Sequence, residues 1–190
     1  LRKVIRAQTV NLGGKELPIN ASQRLGCFEE ILVALKSQMD AMMSHYSRIM
    51  FLRLDVRQRD YRGDNRPMSD LLRKLKKRLS RRYQTKRIAY LWVREQEKAE
   101  NQHYHLILML DGHTVRHPSR IIKLAEEIAE KWDWPKPYTP QHCYYLIHRG
   151  NQAEYNAAFK RGSYLAKERG KGKQDPASNS YNRSHIKFRA

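Results

Sequence analysis

Ile88 to Gly112 is the stretch whose reading decides the fold. Two apolar segments, Ile88 to Glu97 and His103-Tyr104-His105-Leu106-Ile107-Leu108-Met109-Leu110, flank the five residues Lys98 to Gln102, and the second segment closes at Asp111-Gly112. So short a connection between two strand-length runs predicts an antiparallel hairpin. Side chains alternate across a strand, so His103 and His105 point to one face. Two imidazoles side by side on a rigid strand are placed to hold a metal ion from one direction. Glu95 and Glu97 lie across the hairpin. If Glu97 stands opposite His103, Glu95 stands opposite His105, and in either register both carboxylates share the histidine face. Two neutral imidazoles plus one carboxylate, with open positions, suit Mg²⁺ or Mn²⁺ holding a phosphate oxygen. Periodicity leaves the choice between Glu95 and Glu97 open.

Working outward, Ile49 to Val56 reads as another strand, with Asp55 near its end, and His142 to His148 as a fourth. Asp55 reads first as a turn residue and second as a metal or DNA contact. Helical spacing appears over 22–46, with Ser22 as its cap, over 67–83, from Pro118 to Trp132, and over 152–168. The order predicts an α+β fold, a central and mainly antiparallel sheet flanked by helices. Residues 1–20, broken by Gly13-Gly14 and Pro18, read as an arm or short hairpin. Residues 1–46 then form an N-terminal arm and helix packed on a domain of 47–169. Residues 170–190, rich in Gly, Lys and Ser, read as a flexible basic tail.

Charge narrows the partner. The 38 Lys and Arg against 19 Asp and Glu give +19 at pH 7, which argues for a polyanion, nucleic acid ahead of an acidic membrane surface. Between Arg73 and Arg87 nine residues are basic and none acidic. Lys74, Lys77 and Arg81 on that helix are candidate phosphate contacts. No apolar run reaches transmembrane length and no signal-peptide pattern is visible. Cys27 and Cys143 match no zinc spacing and read as reduced cysteines of a cytoplasmic protein. There is no Gly-x-x-x-x-Gly-Lys-Ser/Thr loop, so no nucleotide cofactor is expected.

On the last helix, Lys160, Tyr164, Lys167 and Lys171 fall within about 60° of one another by periodicity, opposite an apolar face that includes Tyr155. A tyrosine ringed by lysines is suited to attack on phosphate. Two histidines, a carboxylate and such a tyrosine are the parts needed for metal-assisted cutting of a phosphodiester.

These residues resemble the HUH endonucleases, which include rolling-circle replication initiators, relaxases and single-strand transposases. His103-Tyr104-His105 looks like their His-hydrophobic-His motif, and Tyr164-Leu165-Ala166-Lys167 like the Tyr-x-x-Lys motif of single-tyrosine initiators. Glu95, eight residues before His103, looks like the third metal ligand of viral initiators, a spacing that favours it over Glu97. More closely, Leu91 to Gly112 and Ser163 to Lys167 are similar to the YagK/YfjJ family of bacterial prophage proteins, grouped with filamentous-phage replication proteins. The resemblance spans roughly residues 45–170. It implies the HUH/RRM-like replication-nuclease fold in a bacterial cytoplasmic protein. It also implies a metal, Mg²⁺ or Mn²⁺, on Glu95, His103 and His105, and catalysis by Tyr164 with Lys167. The partner implied is single-stranded DNA, with any helicase supplied by the host; Lys160 and Lys171, placed beside Tyr164 by periodicity, are candidate contacts to it. Lys160 stands where two-tyrosine members carry a second tyrosine, so one nucleophile per chain is implied. Two rival readings are a nucleic-acid-binding regulator without chemistry and an HUH transposase.

Overall fold

The computed structural model describes residues 2–60, 63–95, 102–169 and 179–190. Strand β1 (Val4–Ile5) is followed by the hairpin of β2 (Thr9–Leu12) and β3 (Lys15–Pro18), and β4 (Cys27–Phe28) pairs back on β1. Gly13 and Gly14, at φ of 62° and 79°, make the two-residue turn that such a hairpin favours. Helix α1 (Glu29–His45) leads into β5 (Arg48–Arg57), and α2 (Arg66–Tyr83) into β6 (Ala89–Glu95) and β7 (His103–Asp111). Then come α3 (Ser119–Glu130), β8 (Tyr144–His148), α4 (Gln152–Gly162), a 3₁₀ turn (Ser163–Ala166) and β9 (Tyr181–Arg183).

The fold is α+β, built on one five-stranded sheet in the order β8-β5-β7-β6-β9, with every pairing antiparallel. Both faces are covered, which is why β5 and β7 read as nearly unbroken apolar runs. Odd-numbered residues such as Ile49, Phe51, Leu91, Val93, Ile107 and Met109 pack against α1, α4 and the 3₁₀ turn. Even-numbered residues such as Met50, Leu52, Leu54, Trp92, Leu106 and Leu108 pack against α2 and α3. A slip of one residue would exchange the two cores, so register is strongly specified.

Three sequence expectations change. Helix α1 starts at Glu29, not Ser22. The Ser22 hydroxyl instead accepts from the Leu25 N–H at 3.1 Å, and Cys27–Phe28 is committed to β1. The last helix ends at Gly162 and tightens into a 3₁₀ turn. Gly162 lies so close to the sheet that a Cβ would stand 2.8 Å from Leu35 and 3.0 Å from Phe51.

The third change concerns the end of the chain, expected to be loose from residue 170. Residues 170–178 lie outside the described set, but β9 pairs with β6, and Ser180 and Ser184 are buried. The reason is Gln38 of α1, only 1% exposed. Its carbonyl oxygen accepts from the Ser184 hydroxyl at 2.5 Å and from the Ile186 N–H at 3.2 Å. Ser184 also accepts from the Tyr90 N–H at 2.9 Å. Small polar residues that look like linker composition are here the partners of a buried amide.

Ser184→Ala should therefore cost about 1–3 kcal/mol in urea unfolding, the penalty for buried polar groups left short of partners. Lys187→Ala, an exposed neighbour, should cost less than about 0.5 kcal/mol. Equal effects would mean that the terminal segment is not docked.

Candidate active site

The apolar alternation on the odd-numbered face gives way to charge in three neighbouring strands at one end of the sheet. Asp55 pairs with His105, Arg57 with His103, and Glu95 with His103. All share one face, as parity requires. The register sets Glu95, not Glu97, opposite His103, and Glu97 lies outside the described residues. Glu95 nevertheless reaches diagonally, and its Oε2 lies 2.5 Å from Nε2 of His105.

His105 is only 6% exposed. Its Nδ1 lies 2.8 Å from Asp55 Oδ1, set off the line of a hydrogen bond, so the imidazole stands between two carboxylates. Burial alone would pull its pKa down, but Asp55 and Glu95 outweigh that and raise it. Asp55 moves the other way. Burial would raise its carboxyl, but His105 and Arg53 hold it below the usual range. His103, half-buried, is pushed down by desolvation and then by Arg57 and His105, against the pull of Glu95 and Asp55. It makes no hydrogen bond within the described residues.

Arg53 is a residue the sequence reasoning missed. It is 4% exposed, and its Nε and Nη2 donate to the two oxygens of Asp55 at 3.2 and 3.0 Å. The signal was available. Two opposite charges at i and i+2 in an apolar strand share a face, and a buried charge is tolerated only with a partner.

Tyr164 sits over this group. Its ring stands edge-on to His105, with centroids 5.4 Å apart and planes at 88°. The Arg53 guanidinium lies 4.2 Å from its centroid and the Lys167 ammonium 5.2 Å. The expected exposed tyrosine among lysines is thus a half-buried one between an arginine and a lysine, because the chain leaves α-helical geometry after Gly162. Lys160 is exposed on α4 and is not brought into this cluster. Lys171 lies outside the described residues.

The N-terminal arm fastens the turn that carries Tyr164. The Ser163 hydroxyl accepts from the Asn20 N–H at 2.8 Å. The Glu168 N–H donates to Gly26 O at 3.0 Å, while the Glu168 carboxylate takes the Gly26 N–H at 3.2 Å and Arg6 at 2.8 and 3.2 Å. Cys27 bridges to Lys167. Gly26 has no room for a side chain, since a Cβ would meet Val4 at 2.3 Å.

Lys74, Lys77 and Arg81 are exposed on α2, whose apolar residues Met68, Leu71, Leu72, Leu75 and Leu79 pack on the even-numbered face. The sheet separates them from Tyr164.

The YagK/YfjJ C-terminal domain matches residues 15–184. The chain belongs to this family. The match is wider than the segment from about 45 to 170 that carries the sequence resemblance. It takes in the arm from Lys15 onward, as well as β9, both of which the fold shows to be part of the structure. No curated protein and no solved structure matches this YagK/YfjJ domain. Among the described residues no three His, Cys, Asp or Glu side chains surround one point as a ready-made metal cage, and no helix is long and apolar enough to cross a membrane.

The two histidines should titrate apart. In metal-free buffer, histidine NMR should place His105 above 6.5 and His103 below it. The stabilisation of His105 by its carboxylates is then complete below about 6.5 and is lost as pH rises through its raised pKa. Asp55 contributes above its usual carboxyl range and loses that contribution as pH falls through its depressed pKa. Asp55→Asn should lower the pKa of His105. An unmoved His105 would show that the carboxylate does not govern it.

Proposed function

We propose that this YagK/YfjJ domain is an HUH-type, metal-dependent endonuclease of single-stranded DNA that nicks and rejoins through Tyr164. The observation that carries the reading is the packing of Tyr164 between Arg53 and Lys167, directly against His105, on the face that also holds His103, Glu95 and Asp55. A tyrosine held only for packing has no need of two cations and a buried carboxylate–histidine–carboxylate array.

The donor set fits a divalent cation. Asp55 stands behind Nδ1 of His105, the place where metal-binding histidines usually keep a carboxylate partner. The Nε2 side faces Glu95, and desolvation favours the neutral form of His103. Mg²⁺ or Mn²⁺ on Glu95, His103 and His105 would draw negative charge from an oxygen of the scissile phosphate. Glu95 would exchange its contact with His105 for one with the cation. Arg53 holds the tyrosine ring and Asp55 together, so nucleophile and imidazole share one support. Lys167 adds positive charge where the phosphate must approach.

In the reaction, Tyr164 Oη bonds to phosphorus as the P–O3′ bond breaks. The products are a 5′-phosphotyrosine and a free 3′-hydroxyl, and the phenolic proton ends on the 3′ oxygen. One phosphodiester replaces another, so the step is reversible and consumes no nucleotide. The family resemblance favours a rolling-circle replication initiator of a phage or mobile element over a transposase, with any helicase supplied by the host. The rival reading, a basic nucleic-acid-binding regulator, draws on the lack of a preformed metal cage among the described residues.

Tyr164→Phe should abolish the SDS-resistant protein–DNA adduct on single-stranded oligonucleotides with Mn²⁺ while keeping the fold. Tyr155→Phe should keep the adduct, because the Tyr155 hydroxyl is committed to Asp40 at 2.7 Å. Asp55→Asn should weaken the Mn²⁺ dependence of cleavage by about 10–100-fold. Peptide mapping that finds DNA on another residue would overturn the assignment of the nucleophile. No adduct from the unmodified chain would favour the binding protein.

A further inference from the structure

We infer that the outer face of α2 is a second nucleic-acid surface, one that takes the phosphate backbone of duplex DNA on the side of the sheet away from Tyr164. The inference rests on the reading of this chain as a DNA-binding protein, but not on chemistry at Tyr164.

Of the cations of α2, Lys76 and Arg82 lie over the Tyr90 and Tyr83 rings. Arg66, Arg73 and Arg78 are engaged by Asp64, Asp70 and Glu127. Lys74, Lys77 and Arg81 have no acidic partner among the described residues, and all three are exposed. Lys74 and Arg81, two turns apart, and Lys77 between them form one stripe that rises about 10 Å along the helix. Exposed Lys86 and Arg87 continue the charge past the helix end. Lys74 is also steadied over the Trp132 ring, 4.7 Å from its centroid. A row of unpaired positive charge on one rigid helix is complementary to a regular row of phosphates.

The form of the partner follows from what the stripe lacks. Every exposed position of α2 is polar or charged. Single strands bind through open aromatic platforms as well as charge, and the rings beside this helix, Tyr83, Tyr90 and Trp132, are half-buried and already lie under Arg82, Lys76 and Lys74. Interfacial helices insert apolar side chains into a membrane, but the apolar stripe of α2 is spent on the sheet and on α3. A surface that leads with cations reads phosphates first, and a duplex presents them on a stiff, regular backbone.

Position separates this surface from the cleavage site. A helix about 10–12 Å thick and then the sheet stand between the stripe and the face that carries His105 and Tyr164. The same few nucleotides cannot lie on both. One strand would be presented to Tyr164 while a neighbouring duplex is held behind the sheet.

Anisotropy of a short blunt duplex, titrated over a range of salt in EDTA to suppress cleavage, tests this. The triple variant Lys74→Gln, Lys77→Gln and Arg81→Gln should flatten the log–log salt slope by roughly 2–3 relative to the unmodified chain. Removing the same charge at Lys15, Arg24 and Lys187, exposed on the α1 side, should change it by less than about 1. A saturating short single strand should leave the labelled duplex bound, giving a ternary complex. An unchanged slope in the α2 variant would overturn the inference, as would equal loss in the two triple variants or displacement of the duplex by the single strand. Adduct formation is scored separately. A chain that binds duplex through α2 yet forms no adduct defeats only the nuclease reading, and an adduct with an unchanged slope defeats only this one.

Discussion

The candidate site depends on one carboxylate, that of Asp55. It accepts two hydrogen bonds from Arg53 and faces Nδ1 of His105. Neither neighbour would be tolerable at that depth alone, because an isolated buried charge is far more costly than a paired one. Removing one member of such a buried group typically costs on the order of 3–5 kcal/mol, most of it the penalty on the charge left behind. Asp55 also sets geometry. It holds the guanidinium that lies over the Tyr164 ring, and it stands behind the imidazole whose other nitrogen meets Glu95. A tyrosine on one segment and a histidine on another are coupled through a single side chain on a central strand.

The sheet explains why the site is where it is. Over most of their length β5, β6 and β7 are apolar on both faces, and helices cover both. On the odd-numbered face, charge begins together at Arg53, Glu95 and His105, beside the point where α4 tightens at Gly162 into the 3₁₀ turn. The end of the helical cover and the start of the polar patch coincide. Tyr164 closes over the opening, half-buried where a fully helical continuation would have followed a different course.

Much of this was legible in the sequence, and the illegible parts share a cause. The hairpin, the common face of His103 and His105, and the presence of Glu95 on that face follow from the period of two, which is local. The hairpin register was left open, because the connecting residues carry no turn signal that selects one. The status of Asp55 could not be fixed from its own neighbours, since a carboxylate near a strand end suits a turn equally well. Only the pairing of β5 with β7 brings it to His105. Arg53 was passed over because one charge in an apolar run reads as an interruption. The docking of β9 was hidden for the same reason: nothing around Ser184 announces a buried Gln38 some 146 residues earlier in the chain. The basic character of α2 was plain, but the side of the sheet it occupies is a property of topology.

The arm's grip on Glu168 and Ser163 has a consequence for the order of assembly. Its contacts join residues 142 to 162 positions apart, among the most distant in the fold, whereas the β6–β7 hairpin is a near-neighbour event. Contacts that close long loops are entropically the most demanding and tend to form late. The imidazoles and carboxylates would be arrayed on the sheet before the tyrosine-bearing turn locks down. A chain emerging from the ribosome would therefore hold its polar cluster for a time without the phenol above it.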